Sequence, residues 1–359
     1  MALIDRISRW FRRPPVAETE PAAPPEPGRR RGQVDHVIIL DGTLSSIEAG
    51  RETNAGLLFR LLQEGGPRVH RTVYYEPGIQ WMGWRYIHDI AQGKGINRQI
   101  RRAYGFLASH YREGDRIFLF GYSRGAYAVR SLAGVIDRVG LLRHDQATER
   151  NVTLAYRHYQ TNPDTPAARA FARAFCHLEA PVQMVGVWDT VKALGMRLPL
   201  LWMLTDRNHA FHNHHLGSSI RHGFHALALH ETRAAFEPVM WDCPPGWEGS
   251  IEQVWFRGAH GDVGGQLGGF DAARPLANIP LVWMLDRAER CGLALPDDWR
   301  NRFPCDPLAP MVGPSRGWGR IFLIRKRRFV GTDPSEQLHP TATASEPRRW
   351  PFGGKLSPR

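Results

Sequence analysis

Gly121-Tyr122-Ser123-Arg124-Gly125 fits the pattern G-x-S-x-G, and its setting says more than the five letters alone. The run Arg116-Ile117-Phe118-Leu119-Phe120 precedes it, and Ala126 to Val139, of helical character, follows, so Ser123 is expected on a tight turn between a strand and a helix. Flanking glycines allow a cramped turn with the serine in a strained conformation. The helix start behind it offers backbone N–H groups and a positive dipole end. A serine held this way attacks a carbonyl carbon once a base takes its proton. The competing reading of the same letters is a phosphate-binding or purely structural turn.

The base needs an orienting acid, and behind such a turn the two follow in chain order, acid and then histidine, each at a strand end. Asp189 after Val185-Gly186-Val187-Trp188 and His260 after Trp255-Phe256-Arg257-Gly258-Ala259 meet order and placement. The expected roles are Ser123 as nucleophile, His260 as base and then acid, and Asp189 as the group that fixes the imidazole tautomer. Taken singly, Asp189 reads equally well as a helix cap and His260 as a turn residue. The oxyanion hole should combine the N–H of Arg124 with one from the loop after the first strand, where Gly42 and Thr43 lie. Asp41 is expected to shape that loop, and Asp262, two residues beyond His260, to organise its own loop. His209, His212, His214, His215, His222, His225 and His230 invite a metal reading, but no clear third ligand accompanies them. No metal and no cofactor are expected.

Short, nearly continuous apolar runs alternating with helical stretches position these residues: Val37 to Leu40, Val69 to Tyr75, Arg116 to Phe120, Val182 to Trp188 and Gln253 to Phe256. That pattern implies the α/β class, with a mostly parallel central sheet, helices on both faces and helical cap insertions. Each polar cluster falls at a strand's carboxyl end, where such sheets bind ligands. The expected division is an amphipathic segment and Pro-rich disordered linker over 1–31, one catalytic domain over 32–331 with caps near 141–180 and 192–225, and a disordered tail over 332–359. Residues 279–293 read as a late covering helix.

The chain has 359 residues, 42% hydrophobic and 23% charged, enough for a sizeable core. Its net charge of +12 resembles a nucleic-acid signal until it is located. Residues 1–31 hold seven Arg against four acids, residues 315–359 ten Lys/Arg against three, and the middle 30 against 28. The body is thus almost neutral, and no nucleic-acid partner is expected; the run Arg325-Lys326-Arg327-Arg328 reads as a charged strand or hairpin edge. Ile4, Ile7, Trp10 and Phe11 alternate with Arg6, Arg9, Arg12 and Arg13, a segment suited to weak association with an anionic membrane. The same charges break any signal-peptide core, so a cytoplasmic protein is expected, with export only by a signal-independent route. Four cysteines without a C-x-x-C pair suggest neither zinc nor a disulfide framework.

Six co-linear motifs carry a resemblance: Asp41-Gly42-Thr43; Gly121 to Tyr127; Gly186-Val187-Trp188-Asp189-Thr190-Val191; His225-Ala226-Leu227-Ala228; Phe236-Glu237-Pro238; and Trp255 to Gly265. Together, over about residues 34–293, they resemble the uncharacterised α/β-hydrolase domain family that includes phospholipase effectors of type VI secretion systems. The resemblance implies an α/β-hydrolase fold, a triad at Ser123, Asp189 and His260, and hydrolysis of an ester, in the effectors a phospholipid. Ser45 stands where the family usually has Asn, and His230 where it has an acid. The competing class is a catalytically silent hydrolase scaffold that docks on a membrane or partner.

Overall fold

The computed structural model describes residues 32–43, 45–64, 70–78, 94–191, 216–242, 249–315 and 324–343. The amphipathic segment 4–13, the linker behind it, residues 192–215 of the second expected cap and the basic end from 344 onward lie outside the described residues. Among the described residues seven strands make one sheet: β1 (Asp35–Leu40), β2 (Arg71–Glu76), β3 (Arg116–Tyr122), β4 (Val182–Trp188), β5 (His222–Ala228), β6 (Ser250–Phe256) and β7 (Glu336–Leu338). All neighbouring pairs are parallel, in the order β2-β1-β3-β4-β5-β6-β7. The helices are α1 (Asn54–Glu64), α2 (Lys94–His110), α3 (Arg124–Arg138), α4 (Glu149–Thr161), α5 (Pro166–Phe175), α6 (His260–Gly264), α7 (Arg274–Arg290) and α8 (Pro340–Thr343).

Both faces of the sheet are covered, which explains the unbroken apolar runs. In β1, Ile38 and Leu40 join one buried cluster with α2 and α3, while Val37 and Ile39 join the other with α1 and α7. β3 repeats the division, with Ile117 and Leu119 on the first face and Phe118, Phe120 and Tyr122 on the second. Alternation is a strand's period of two, and here both phases are apolar because neither face meets water. The fold is a parallel α/β sheet with helices on both faces.

Strand order and register then bring the polar ends together. The chain leaves β1 on one side to reach β2 and returns across it to β3, so the order reverses between β1 and β3. The crevice beyond the carboxyl ends at such a point is the usual ligand site of an open parallel sheet. Leu40 pairs with Gly121, Tyr122 with Trp188, Trp188 with Ala226, and Ala228 with Phe256. Asp41, Ser123, Asp189 and the loop bearing His260 therefore emerge along one edge.

Three boundaries differ from the sequence-based expectations. Residues 141–180, expected as a cap, supply α4 and α5: Val152, Ala155, Tyr156 and Tyr159 form a stripe at helical spacing that is buried, with Phe171, beside α2 and α3. Residues 222–225, placed in the second cap, are the first half of β5. The tail expected to be disordered from 332 is ordered through Thr343, and its residues 336–338 extend the sheet as β7. Its Pro, Ser and Thr content suggested disorder, but Glu336 accepts the N–H groups of Gly331, Thr332 and Asp333 and the Trp255 indole, and Ser335 Oγ accepts from Gln253. The Trp255 and Gln253 anchors come from the partner strand β6, which the tail's composition does not show.

Candidate active site

Ser123 follows β3 directly, with φ 58° and ψ −118°, a conformation that costs a residue other than glycine about 1–3 kcal/mol. The turn holds because the first turn of α3 presses against its neighbours. A Cβ on Gly125 would lie 2.1 Å from Leu40 O, and one on Gly121 2.6 Å from Gly125 O. The two glycines of the motif are thus explained by close backbone approach. Ser123 N–H donates to Trp188 O at 3.0 Å, tying the turn to β4.

His260 begins α6, and its ring is held between two aromatic faces, Tyr122 stacked at 4.9 Å and Phe236 edge-on at 4.8 Å. Its Nδ1 lies 2.6 Å from Asp189 Oδ2 and its Nε2 2.8 Å from Ser123 Oγ. Burial holds the imidazole below its ordinary pKa even though Asp189 pulls it upward, so the ring is neutral near pH 7. With Asp189 ionised, the ring proton sits on Nδ1 and Nε2 is free to accept from the serine. Glu231, 1% exposed, accepts the His260 N–H at 3.1 Å and so fixes the backbone that carries the ring.

Asp189, fully buried and also at positive φ (41°), gathers four donors. Oδ1 accepts Ala228 N–H at 3.0 Å and Arg328 Nη1 at 2.5 Å; Oδ2 accepts His260 Nδ1 and, at 3.0 Å, Arg328 Nη2. Burial alone would raise its pKa, but the Arg328 guanidinium and His260 hold the carboxyl well below the usual carboxylate range.

The oxyanion-hole candidates separate. Gly42 N–H is spent on Asp41 Oδ1 at 2.7 Å, whereas the N–H groups of Thr43 and Arg124 make no hydrogen bond among the described residues. Asp41 also accepts from Thr53 Oγ1 and Tyr75 OH, and burial pushes its pKa up to about 6. Ser45 braces the same loop by donating its N–H to Gly42 O and accepting that of Gly78. Among the described residues the Arg124 side chain has no ion pair, and burial pulls its pKa down to about 10. Asp262 stays away from the imidazole. It accepts N–H groups from Ala259, Val312 and Gly313, joining the His260 loop to the chain beyond α7.

Among the described residues, no three His, Cys, Asp or Glu side chains are grouped to hold a metal ion. His209, His212, His214 and His215 lie outside the described residues. His222 bonds Ser250 Oγ, His230 Nδ1 accepts Gly258 N–H, and His225 Nε2 accepts Thr190 N–H beside Asp189. His225 is fully buried, and desolvation pushes its pKa down to about 3. A pH dependence follows. A histidine neutral in the folded chain and charged in the unfolded one favours unfolding below its unfolded pKa of about 6.5, so stability falls as pH falls from 6.5 toward 3. Asp41, raised to about 6, opposes this between pH 3.8 and 6, so the comparison that isolates His225 is with His225→Asn. In urea titrations between pH 7.5 and 4.5, the wild type is expected to lose about 1.4 kcal/mol per pH unit more than the variant below pH 6.5.

Two residues at the site carried no sequence signal. Glu231 adjoins His230, the position marked as departing from the family acid. Arg328 lies among four consecutive basic residues, far along the chain from Asp189.

A family model described as "T6SS, Phospholipase effector Tle1-like, catalytic domain" matches residues 35–287. A similar curated protein is "Uncharacterized protein YEL023C" of Saccharomyces cerevisiae, 28% identical in an alignment of 229 residues that covers 56% of this chain and 32% of that protein. A crystal structure of an uncharacterised protein from Pseudomonas aeruginosa is 17% identical over 76% of this chain and 49% of its own, with a TM-score of 0.43. The structure of the Tle1 effector bound to the VgrG spike of the type 6 secretion system is 18% identical over 66% of this chain and 52% of its own, with a TM-score of 0.36. The chain thus spans about a third of the yeast relative and about half of each solved chain. Because the family match runs through well over half of its length, the chain belongs to the Tle1-like catalytic domains of type VI secretion phospholipase effectors.

Proposed function

We propose that the chain is a serine hydrolase of carboxylic esters, with lipid esters, phospholipids among them, as its substrate class. The observation that carries the reading is the continuous line of hydrogen bonds from Asp189 through His260 to a serine in a strained turn. Ser123 Oγ attacks the ester carbonyl while His260 Nε2 takes its proton. The tetrahedral oxyanion is met by the N–H groups of Arg124 and Thr43, and the imidazolium returns the proton to the leaving alcohol. Water then repeats the sequence on the acyl-enzyme and releases the acid.

The lipid class draws on the family's phospholipase description and on the surface next to the site. Ile324, Phe329 and Val330 are exposed among Arg325, Lys326 and Arg327, a mixture of apolar and cationic side chains suited to an anionic lipid interface. No described helix is long and apolar enough to cross a membrane. Contact with a bilayer would therefore be at its surface.

The test is labelling with a fluorophosphonate followed by hydrolysis assays from short-chain nitrophenyl esters to phospholipid vesicles. The reading expects one covalent adduct at Ser123 and faster turnover of aggregated lipid than of the short ester. Folded protein that takes no label would overturn it and leave the silent scaffold.

A further inference from the structure

The Asp189 carboxylate is ion-paired with a residue beyond the span of the family match. Arg328 is delivered by an extended strap: Lys326 N–H donates to Thr232 O, Ala234 N–H donates to Ile324 O, and Arg233 and Arg325 form an antiparallel bridge. At the end of that strap the guanidinium, 5% exposed, turns inward. It grips both Asp189 oxygens, the carbonyl of Ala228 at the end of β5, and the carbonyl of Phe236, whose ring packs against His260. One planar side chain therefore bonds three of the elements that surround the imidazole. A guanidinium fork suits this task because its N–H directions match a carboxylate bidentately and leave others for carbonyls.

We propose that Arg328 is a positioning residue of the catalytic apparatus, which clamps the Asp189 carboxylate and, by its charge, keeps His260 unprotonated and ready to accept the Ser123 proton at mildly acid pH. The proposal rests on the serine-hydrolase reading above. Its sign follows from the charges around the ring. Asp189 and Glu231 favour the imidazolium and Arg233 opposes it; Tyr122, Ser123 and His225 add no charge in the working state. Arg328, a cation bonded to the same Asp189 oxygen as His260 Nδ1, offsets the carboxylate and so acts in the same sense as Arg233. Without Arg328 the Asp189–His260 pair binds its proton more tightly. The population with a free Nε2 then falls at low pH and recovers at high pH. Arg328 would in this way extend activity toward acid conditions, which a bare aspartate and histidine pair gives up.

The experiment uses the full chain and compares wild type with Arg328→Gln and Arg328→Lys, reading the rate of fluorophosphonate labelling and kcat/KM on a nitrophenyl ester from pH 5 to 9. For Arg328→Gln the midpoint of the acid limb is expected to rise by about one pH unit, with a roughly tenfold deficit at the foot of that limb that shrinks to within about threefold at pH 9. Arg328→Lys keeps the charge without the fork and should move the midpoint less. An Arg328→Gln protein that folds, shown by an unchanged circular dichroism spectrum, and loses the same factor at every pH would overturn the proposal, since a purely structural role predicts that result. Should Arg328→Gln fail to fold, Arg328→Ala with added guanidinium replaces it, because a cavity of about 170 Å³ lined by Arg233, Glu237, Trp255, Arg328 and Phe329 adjoins the vacated space. There the expected result is a return of the acid limb to the wild-type midpoint, and no return counts against the proposal. Failure of the underlying reading looks different: the wild type itself then takes no label at Ser123.

Discussion

Ser123→Ala is expected to lower kcat/KM for ester hydrolysis by roughly 10⁴-fold or more, with no fluorophosphonate adduct and little change in stability. The size follows from what the change removes. Without Oγ there is no covalent intermediate, and His260 can do no more than activate water from a position set for a serine oxygen. Oxyanion donors and substrate binding remain, so the residual rate stays above that in free water. Stability is expected to hold within about 1 kcal/mol, because one hydrogen bond to a neutral imidazole is lost and the backbone turn is kept by Gly121, Gly125 and the Ser123 N–H bond to Trp188. Equal melting temperatures with activity gone place the loss in chemistry. Retention of a tenth or more of the activity would mean that Ser123 is not the nucleophile.

The parts of this site readable in the sequence are those made by local rules. The β3 run, the two glycines and the following helical stretch specify the turn that carries Ser123, because strand, turn and helix are contiguous and each has its own signature. Asp189 and His260 could be placed because each lies in the segment that follows a strand's carboxyl end, and parallel register does the rest. What was not readable depends on contacts between distant segments. Arg328 and Asp189 are 139 positions apart, and nothing distinguishes Arg328 from Arg325 or Arg327 until the strap docks along residues 232–234 and turns one of them inward. The loop after β1 gives a smaller case. Gly42 and Thr43 were equal candidates for an oxyanion donor, and the choice depends on the Asp41 side chain, whose oxygen already holds the Gly42 N–H. Likewise α4 and α5 read as a helical cap over the site because they separate two strand-ending motifs and are rich in Arg, His and aromatics, yet their tyrosines pack beside α2 and α3.

Asp189→Asn joins these strands of argument, because it should fail in two ways at once. The carboxylate accepts four hydrogen bonds, and an amide offers one oxygen and two N–H donors in their place. If the amide oxygen faces His260, its NH₂ confronts Arg328 and the Ala228 N–H, donor against donor. If the NH₂ faces His260, the ring must accept at Nδ1 and carry its proton on Nε2, where it cannot act as a base. Turnover is expected to fall by about 10⁴-fold, the cost of a wrong tautomer in such a triad. A triad with a simple aspartate would keep its stability through that change. Here Arg328, almost fully buried, is left without its counter-charge, and removing one partner of a buried pair costs about 3–5 kcal/mol, or roughly 10 °C in Tm for a domain of this size. The double variant Asp189→Asn with Arg328→Met removes the stranded charge. It should recover most of the lost stability and none of the activity, so the cycle yields a large coupling in stability, while the coupling in turnover equals the effect of the Arg328 change alone, within about threefold at pH 9. Additive losses of stability in the double variant would show that Arg328 and Asp189 are neighbours without being partners.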